Sequence, residues 1–238
     1  MKKTVFTLCV DGYPKEITDL TFPLLQGYAD KIGAEFVIIQ KRRFFEWPVV
    51  YEKFQIYDLS RELGSDWNIY VDADALVHPD MPDVTAHLGR DTVMQNGQDL
   101  ASSRWKYDEY MRRDGRLISS CNWFCVFSDW CRDIYHPLED MTLAQALMNI
   151  YPCQLERNFG IDAGHLIDDY VVTRNIARYG LKHTTFMKVW QGLGLPFGYL
   201  WHDYLKTNEE KLAEIKHTLV GWKVKPEPEL KLVSTRII

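Results

Sequence analysis

The sequence contains no run of roughly 20 apolar residues, the length a helix needs to cross a bilayer, so no membrane span is expected. Basic residues are not in excess: 28 Lys and Arg face 33 Asp and Glu, a formal net charge of −5, which excludes a broad nucleic-acid footprint. The cysteines are few and unpaired by spacing. Cys9, Cys121, Cys125, Cys131 and Cys153 are odd in number and form no Cys-x-x-Cys pair. That argues against a disulfide framework and a zinc cluster, and for reduced thiols in a cytoplasmic chain. The apolar run at residues 4–10 is too short for a signal peptide and suits a first strand. A glycine-rich phosphate loop is missing, because Gly12 has no glycine repeat around it. There is no internal repeat and no low-complexity tract.

What is present fits one α/β domain. The 238 residues lie below the roughly 250–300 at which single cores stop growing. Hydrophobic residues make up 46% and charged residues 26%, an ordinary globular balance. Eight Trp, 13 Tyr and 11 Phe supply core, and some could line a sugar site. Residues 4–9 read as a buried strand, 11–14 as a loop, and 17–32 as a helix with a kink or late start at Pro23 and a stop at Gly33. Residues 34–39 form the next strand, completing a βαβ opening that predicts a parallel sheet covered by helices. A helix over 50–63, ended by Gly64, precedes a third strand at 67–71. Later elements are short strands at 92–95, 119–127 and 198–201, and helices at 143–150 and 165–179. Thr207 and Glu210 form a capping box for a last helix that Gly221 should stop, before a tail rich in proline and charge.

The pair Asp72 and Asp74 carries the chemistry. Alternate residues of an extended chain point to one side, so both carboxylates can face one ligand just past the third strand. Open parallel sheets bind ligands at that edge. Two acids gathered there suit a hard divalent cation, Mn²⁺ or Mg²⁺, shared with substrate phosphates. A solvated Asp-x-Asp turn is the alternative.

The segment Ile69-Tyr70-Val71-Asp72-Ala73-Asp74-Ala75-Leu76-Val77, with Tyr51-Glu52-Lys53-Phe54-Gln55-Ile56-Tyr57 upstream, resembles the metal-binding region of the GT-A glycosyltransferase superfamily. The resemblance implies a GT-A-like, Rossmann-like fold: a mostly parallel central sheet flanked by helices, in a single domain over residues 1–238. Residues 1–95 would be the nucleotide-sugar-binding half, 96–222 the acceptor-side half and 223–238 a peripheral tail. It implies a metal-dependent transferase that moves a hexose from a nucleoside diphosphate sugar, UDP-linked by resemblance, to an acceptor hydroxyl. Thr7, Cys9 and Tyr13 fall in the implied base-binding region, where Tyr13 is either a stacking platform or an ordinary turn aromatic. Lys53 is either a phosphate or ribose contact or a solvated helix lysine. Asp72 and Asp74 would hold the metal and diphosphate.

Such enzymes often add a late histidine as a metal ligand. His202, delivered by the apolar run 197–201, is preferred here. The alternative, His217, sits in a stretch loosely similar to the His-x-x-Gly-x-x-Lys ending of glycogenin-like enzymes, with different spacing. The adjacent acids Asp168 and Asp169 are the catalytic candidates: one binds an acceptor hydroxyl, stabilises positive charge at the sugar, or acts as general base in an inverting reaction. Helix-end electrostatics or a salt bridge to Arg174 or Arg178 would also explain them. Asn122 is placed near the donor sugar, although Trp123-Phe124 stands where a small residue is expected. Trp105, Tyr107 and Tyr110 are possible acceptor-loop contacts. Two other functions compete: a metal-dependent sugar nucleotidyltransferase, and a carbohydrate-binding module without catalysis.

Overall fold

Strands buried on both faces build the centre of the sheet. In the computed structural model, residues 1–96, 121–195, 198–203, 205–224 and 235–238 are described. Strand β1 (Lys3–Leu8) lies between β2 (Ala34–Ile39) and β3 (Trp67–Val71) and is parallel to both. Val5 faces one apolar layer and Phe6 the other; Ile69 and Tyr70 of β3 divide in the same way. A strand buried on both faces needs helices on both sides. Helix α1 (Lys15–Ile32) covers one face with Phe22, Leu25, Tyr28 and Ala29. It begins at Lys15 and continues through Pro23, so the expected late start does not occur. Gly33, at φ 68, closes it in the left-handed conformation that glycine adopts without strain.

The other face is covered by two pieces where the sequence predicts one helix. A 3₁₀ helix, Val49–Gln55, runs into α2 (Ile56–Glu62). Its three-residue pitch stacks Tyr51 over Phe54 in the core, and Val50 over Lys53 on the row facing a cleft. Glu52, fully buried, accepts hydrogen bonds from the main-chain N–H groups of Arg43 (2.8 Å) and Phe44 (3.0 Å) and pairs with Arg42 (3.2 Å), fixing this unusual turn to the preceding loop.

Among the described residues the sheet has seven strands in the order β7-β5-β6-β3-β1-β2-β9. Strand β5 is Thr92–Asn96, β6 is Cys121–Ser128, β7 is Lys182–Thr185 and β9 is Thr235–Ile237. Most pairings are parallel; β6 runs antiparallel to β3 and β5. The tail returns as β9, parallel to β2 at the sheet edge. Short helices α3 (Leu143–Leu147) and α4 (Gln154–Asn158) lead to α5 (Ile167–Arg178), and α6 (Phe186–Leu193) follows β7. A separate two-stranded ribbon pairs β4 (Leu76–Val77) with β8 (Leu200–Trp201).

The last helix, α7 (Asn208–Trp222), opens with the predicted Thr207–Glu210 capping box but passes through Gly221. Lys223, at φ 58, takes the left-handed cap instead. Continuing for two more residues lets Trp222 and Val224 join Leu76, Ile215 and Leu219 in a small apolar cluster that ties α7 to α1 and the ribbon. None of the five cysteines is joined in a disulfide. Among the described residues no helix is long and apolar enough to cross a membrane. The acceptor-loop candidates Trp105, Tyr107 and Tyr110, and the first residues of the strand predicted at 119–127, lie outside the described residues.

Candidate active site

The C-terminal ends of β1 and β3 open onto a cleft of about 280 Å³. Because β6 is antiparallel, its first residues meet the last residues of β3: the N–H of Asp72 donates to the Trp123 carbonyl at 2.8 Å. The chain then turns, with the N–H of Ala75 bonded to Asp72 O at 3.0 Å, and enters β4. Pairing of Leu76 with Trp201 sets the residue after Trp201 beside the residues before Leu76. His202 therefore arrives at the acids: its Nε2 lies 3.3 Å from Asp74 Oδ1 and 3.7 Å from Asp72 Oδ2.

Asp72, Asp74 and His202 each offer a ligand atom, and these atoms lie within 4.8 Å of one another. Two carboxylates and an imidazole supply oxygen and nitrogen donors, so the residues present fit a divalent metal ion. His217 is exposed on α7 and is not in this group. The Trp123 ring stacks on His202, centroids 5.0 Å apart and planes 18° apart, and limits how the imidazole can turn.

Two lysines hold the acids in place. Lys53 is buried, not solvated: its Nζ lies 2.6 Å from Asp168 Oδ2 and 2.9 Å from Asp72 Oδ1, and donates to the Asn122 carbonyl at 3.3 Å. Burial alone would lower its pKa, but Asp168 and then Asp72 overcome that and hold it well above the usual lysine value. Lys211, in the first turn of α7, reaches Asp74 Oδ2 at 2.5 Å. Burial would raise the Asp74 carboxyl; His202 and Lys211 outweigh it and keep the group well below the usual carboxylate range. The Tyr13 phenol also hydrogen-bonds Asp74, and burial followed by that negative charge pushes its pKa well up. Tyr70, buried under Lys53, donates to Asp72 Oδ1.

Asp168 and Asp169 occupy the first turn of α5, where the helix dipole favours negative charge. Both are buried and both line the cleft. Asp169 Oδ1 accepts the Asn122 N–H at 2.6 Å, so Asn122 meets one acid with its main-chain N–H and Lys53 with its carbonyl. Its side-chain oxygen accepts from Tyr135 at 2.8 Å. Arg174 pairs with Asp140 and Arg178 lies 3.2 Å from the same carboxylate, so these arginines engage Asp140 while Asp168 pairs with Lys53.

The implied base-binding trio divides. Tyr13 lines the cleft; Thr7 and Cys9 do not, and Leu8 and Val10 do. Alternation along an extended chain explains this, since residues 8 and 10 share the side opposite 7 and 9. Sequence reasoning missed Lys211 and Trp123. A lysine early in a capped helix gives no signal of its own, and an aromatic in a strand reads as core.

No family model matches the chain, and no curated protein matches its sequence. Its structure is similar to the crystal structure of a glycosyltransferase involved in the glycosylation of the major capsid of PBCV-1, with a TM-score of 0.50 and 11% sequence identity over 90% of this chain and 98% of that one. At this identity the likeness shows the fold, which is of the GT-A type: a mostly parallel sheet flanked by helices with Asp72-x-Asp74 at its edge.

Proposed function

We propose that the chain is a metal-dependent glycosyltransferase that uses a nucleoside diphosphate sugar, UDP-linked, and transfers a hexose to an acceptor hydroxyl. The observation that carries this reading is the convergence of Asp72, Asp74 and His202 within 4.8 Å, in a cleft that also presents buried Lys53 and Asp168. Chemistry needs both ends: a place for a charged diphosphate to leave from, and carboxylates where the sugar carbon becomes electron-poor.

A Mn²⁺ or Mg²⁺ ion held by Asp72, Asp74 and His202 would offset charge on the leaving diphosphate. The chain's own residues supply the rest. Tyr13, which lines the cleft with Leu8 and Val10, is the residue assigned to pack on the base. Lys53 is a fixed cation between metal side and acceptor side, suited to a donor oxygen. Asp168 and Asp169 are the carboxylates assigned to the acceptor side, where they orient the attacking hydroxyl or stabilise positive charge at the sugar. The hydrogen bond from Asn122 N–H and the ion pair with Lys53 orient them before substrate arrives. The single domain is read as a nucleotide-sugar half at 1–95 and an acceptor half at 96–222. Five cysteines outside disulfides suit a reducing compartment, so we place the chain in the cytoplasm.

The test is a screen of nucleotide sugars and acceptors with Mn²⁺, read by mass spectrometry, alongside Asp72→Ala and Asp74→Ala. Transfer that disappears in both variants is expected. Donor binding and turnover unchanged in both would defeat the proposal. Pyrophosphate release from a nucleoside triphosphate and a sugar phosphate would favour a nucleotidyltransferase. Sugar binding without any turnover would favour a carbohydrate-binding module.

A further inference from the structure

Asp74 is engaged by three side chains of the cleft. One oxygen faces His202 at 3.3 Å, the other meets Lys211 at 2.5 Å, and Tyr13 adds a hydrogen bond. The pair with Lys211 is largely hidden: the two side chains are 13% and 7% exposed. The backbone beneath Lys211 is anchored, because Leu212, Ile215 and Leu219 of the same helix pack with Ile17, Leu24 and Leu76. The lysine stem above that anchor has four flexible carbons. The arrangement is thus a tethered ammonium resting on a carboxylate that a metal ion would need.

We propose that Lys211 is a resident counter-cation of Asp74, which opposes metal loading until a diphosphate draws it away. The proposal rests on the reading of Asp72, Asp74 and His202 as the metal group. A cation entering between those residues meets an acid already neutralised, with a like charge close by. It must displace Lys211 or share Asp74 with it, and both weaken binding. A donor's diphosphate changes this balance. Its oxygens offer the ammonium an alternative partner within the same cleft, and Asp74 is released to the ion. Nucleotide and metal are then coupled through one side chain, beyond their direct contact with each other, and the coupling is reciprocal. A charge with this role differs from a simple phosphate contact in one respect: it must alter metal affinity when no nucleotide is present.

The experiment measures Mn²⁺ binding to the full chain by electron paramagnetic resonance, with and without UDP, for the wild type, Lys211→Met, Lys211→Arg and Asp74→Ala. Lys211→Met keeps the stem and removes the charge. It is expected to bind Mn²⁺ alone about tenfold more tightly than the wild type, a gain in the usual range for coupled sites. Its improvement on adding UDP should shrink by a similar factor. Lys211→Arg should stay near the wild type in the absence of UDP. If Lys211→Met binds Mn²⁺ alone no more tightly than the wild type, while Asp74→Ala loses it, the counter-cation role is wrong and the metal group stands. If Asp74→Ala binds Mn²⁺ as the wild type does, the metal group itself is wrong and the proposal falls with it.

Discussion

Replacing Lys53 with methionine tests whether the cleft is held together by charge. The ammonium is buried between two acids, 2.6 Å from Asp168 and 2.9 Å from Asp72. Removing one member of a buried ion pair costs about 3–5 kcal/mol, chiefly because the partner is left charged and unpaired. Asp168 has a side chain only 6% exposed and would bear most of that cost. Asp72, at 21%, can be reached by water and keeps the hydroxyl of Tyr70, and Asp168 keeps the α5 dipole. These reliefs place the expected loss near the lower bound, about 3 kcal/mol. For a chain of this size that is a fall in Tm of about 6–12 °C. Urea unfolding of Lys53→Met, Asp168→Asn and the double variant gives the pair energy directly. The double variant should be more stable than Lys53→Met, with a coupling of at least about 1 kcal/mol. Mn²⁺ should raise the Tm of Lys53→Met more than that of the wild type, since the ion restores positive charge beside Asp72. A loss below about 0.5 kcal/mol, the scale of ordinary surface substitutions, or strictly additive single effects, would refute the reasoning.

Other outcomes follow from single contacts. His183 in β7 is held down to about 4, first by burial and then by Lys188, so its ring stays neutral in the fold and protonates in the unfolded chain. Its contribution is therefore complete above pH ~6.5 and declines as pH falls toward 4, by on the order of 1–2 kcal/mol at pH 5; urea midpoints at pH 7 and pH 5 should differ less in His183→Phe. Trp123→Ala removes the ring stacked on His202 and should weaken Mn²⁺ binding in the presence of UDP by about tenfold, measured by calorimetry, whereas Trp123→Phe should recover much of it. Thr207→Ala deletes the cap of α7 and should cost about 1 kcal/mol in urea unfolding, with no change in the slope.

The first half of the fold is legible because its signals are local. Buried runs at β1, β2 and β3 and a glycine after α1 each fix an element within a few residues, and in the second half a capping box does the same for the start of α7. The Asp72–Asp74 pair is legible as two acids just past a buried strand, but a turn at Ala73–Asp74, closed by the Ala75 N–H on Asp72 O, brings them together where the spacing predicted an extended chain. His202 could be nominated because an apolar run delivers it, but its approach to Asp74 depends on the β4–β8 pairing. The remainder depends on long-range geometry. Lys53 meets Asp168 across 115 positions, and Lys211 meets Asp74 across 137. The antiparallel entry of β6, which brings the Asn122 backbone to Asp169, has no local marker. The stop of α7 lies at Lys223 rather than Gly221 because Trp222 and Val224 gain apolar partners, and tertiary packing outweighs the glycine.

Anomalous diffraction from crystals grown with Mn²⁺ and UDP addresses the central assignment most directly. A single manganese peak bonded to Asp72, Asp74 and His202, and to the UDP diphosphate, is the predicted result. UDP bound in the cleft with manganese elsewhere, or with no manganese at these three side chains, would contradict it.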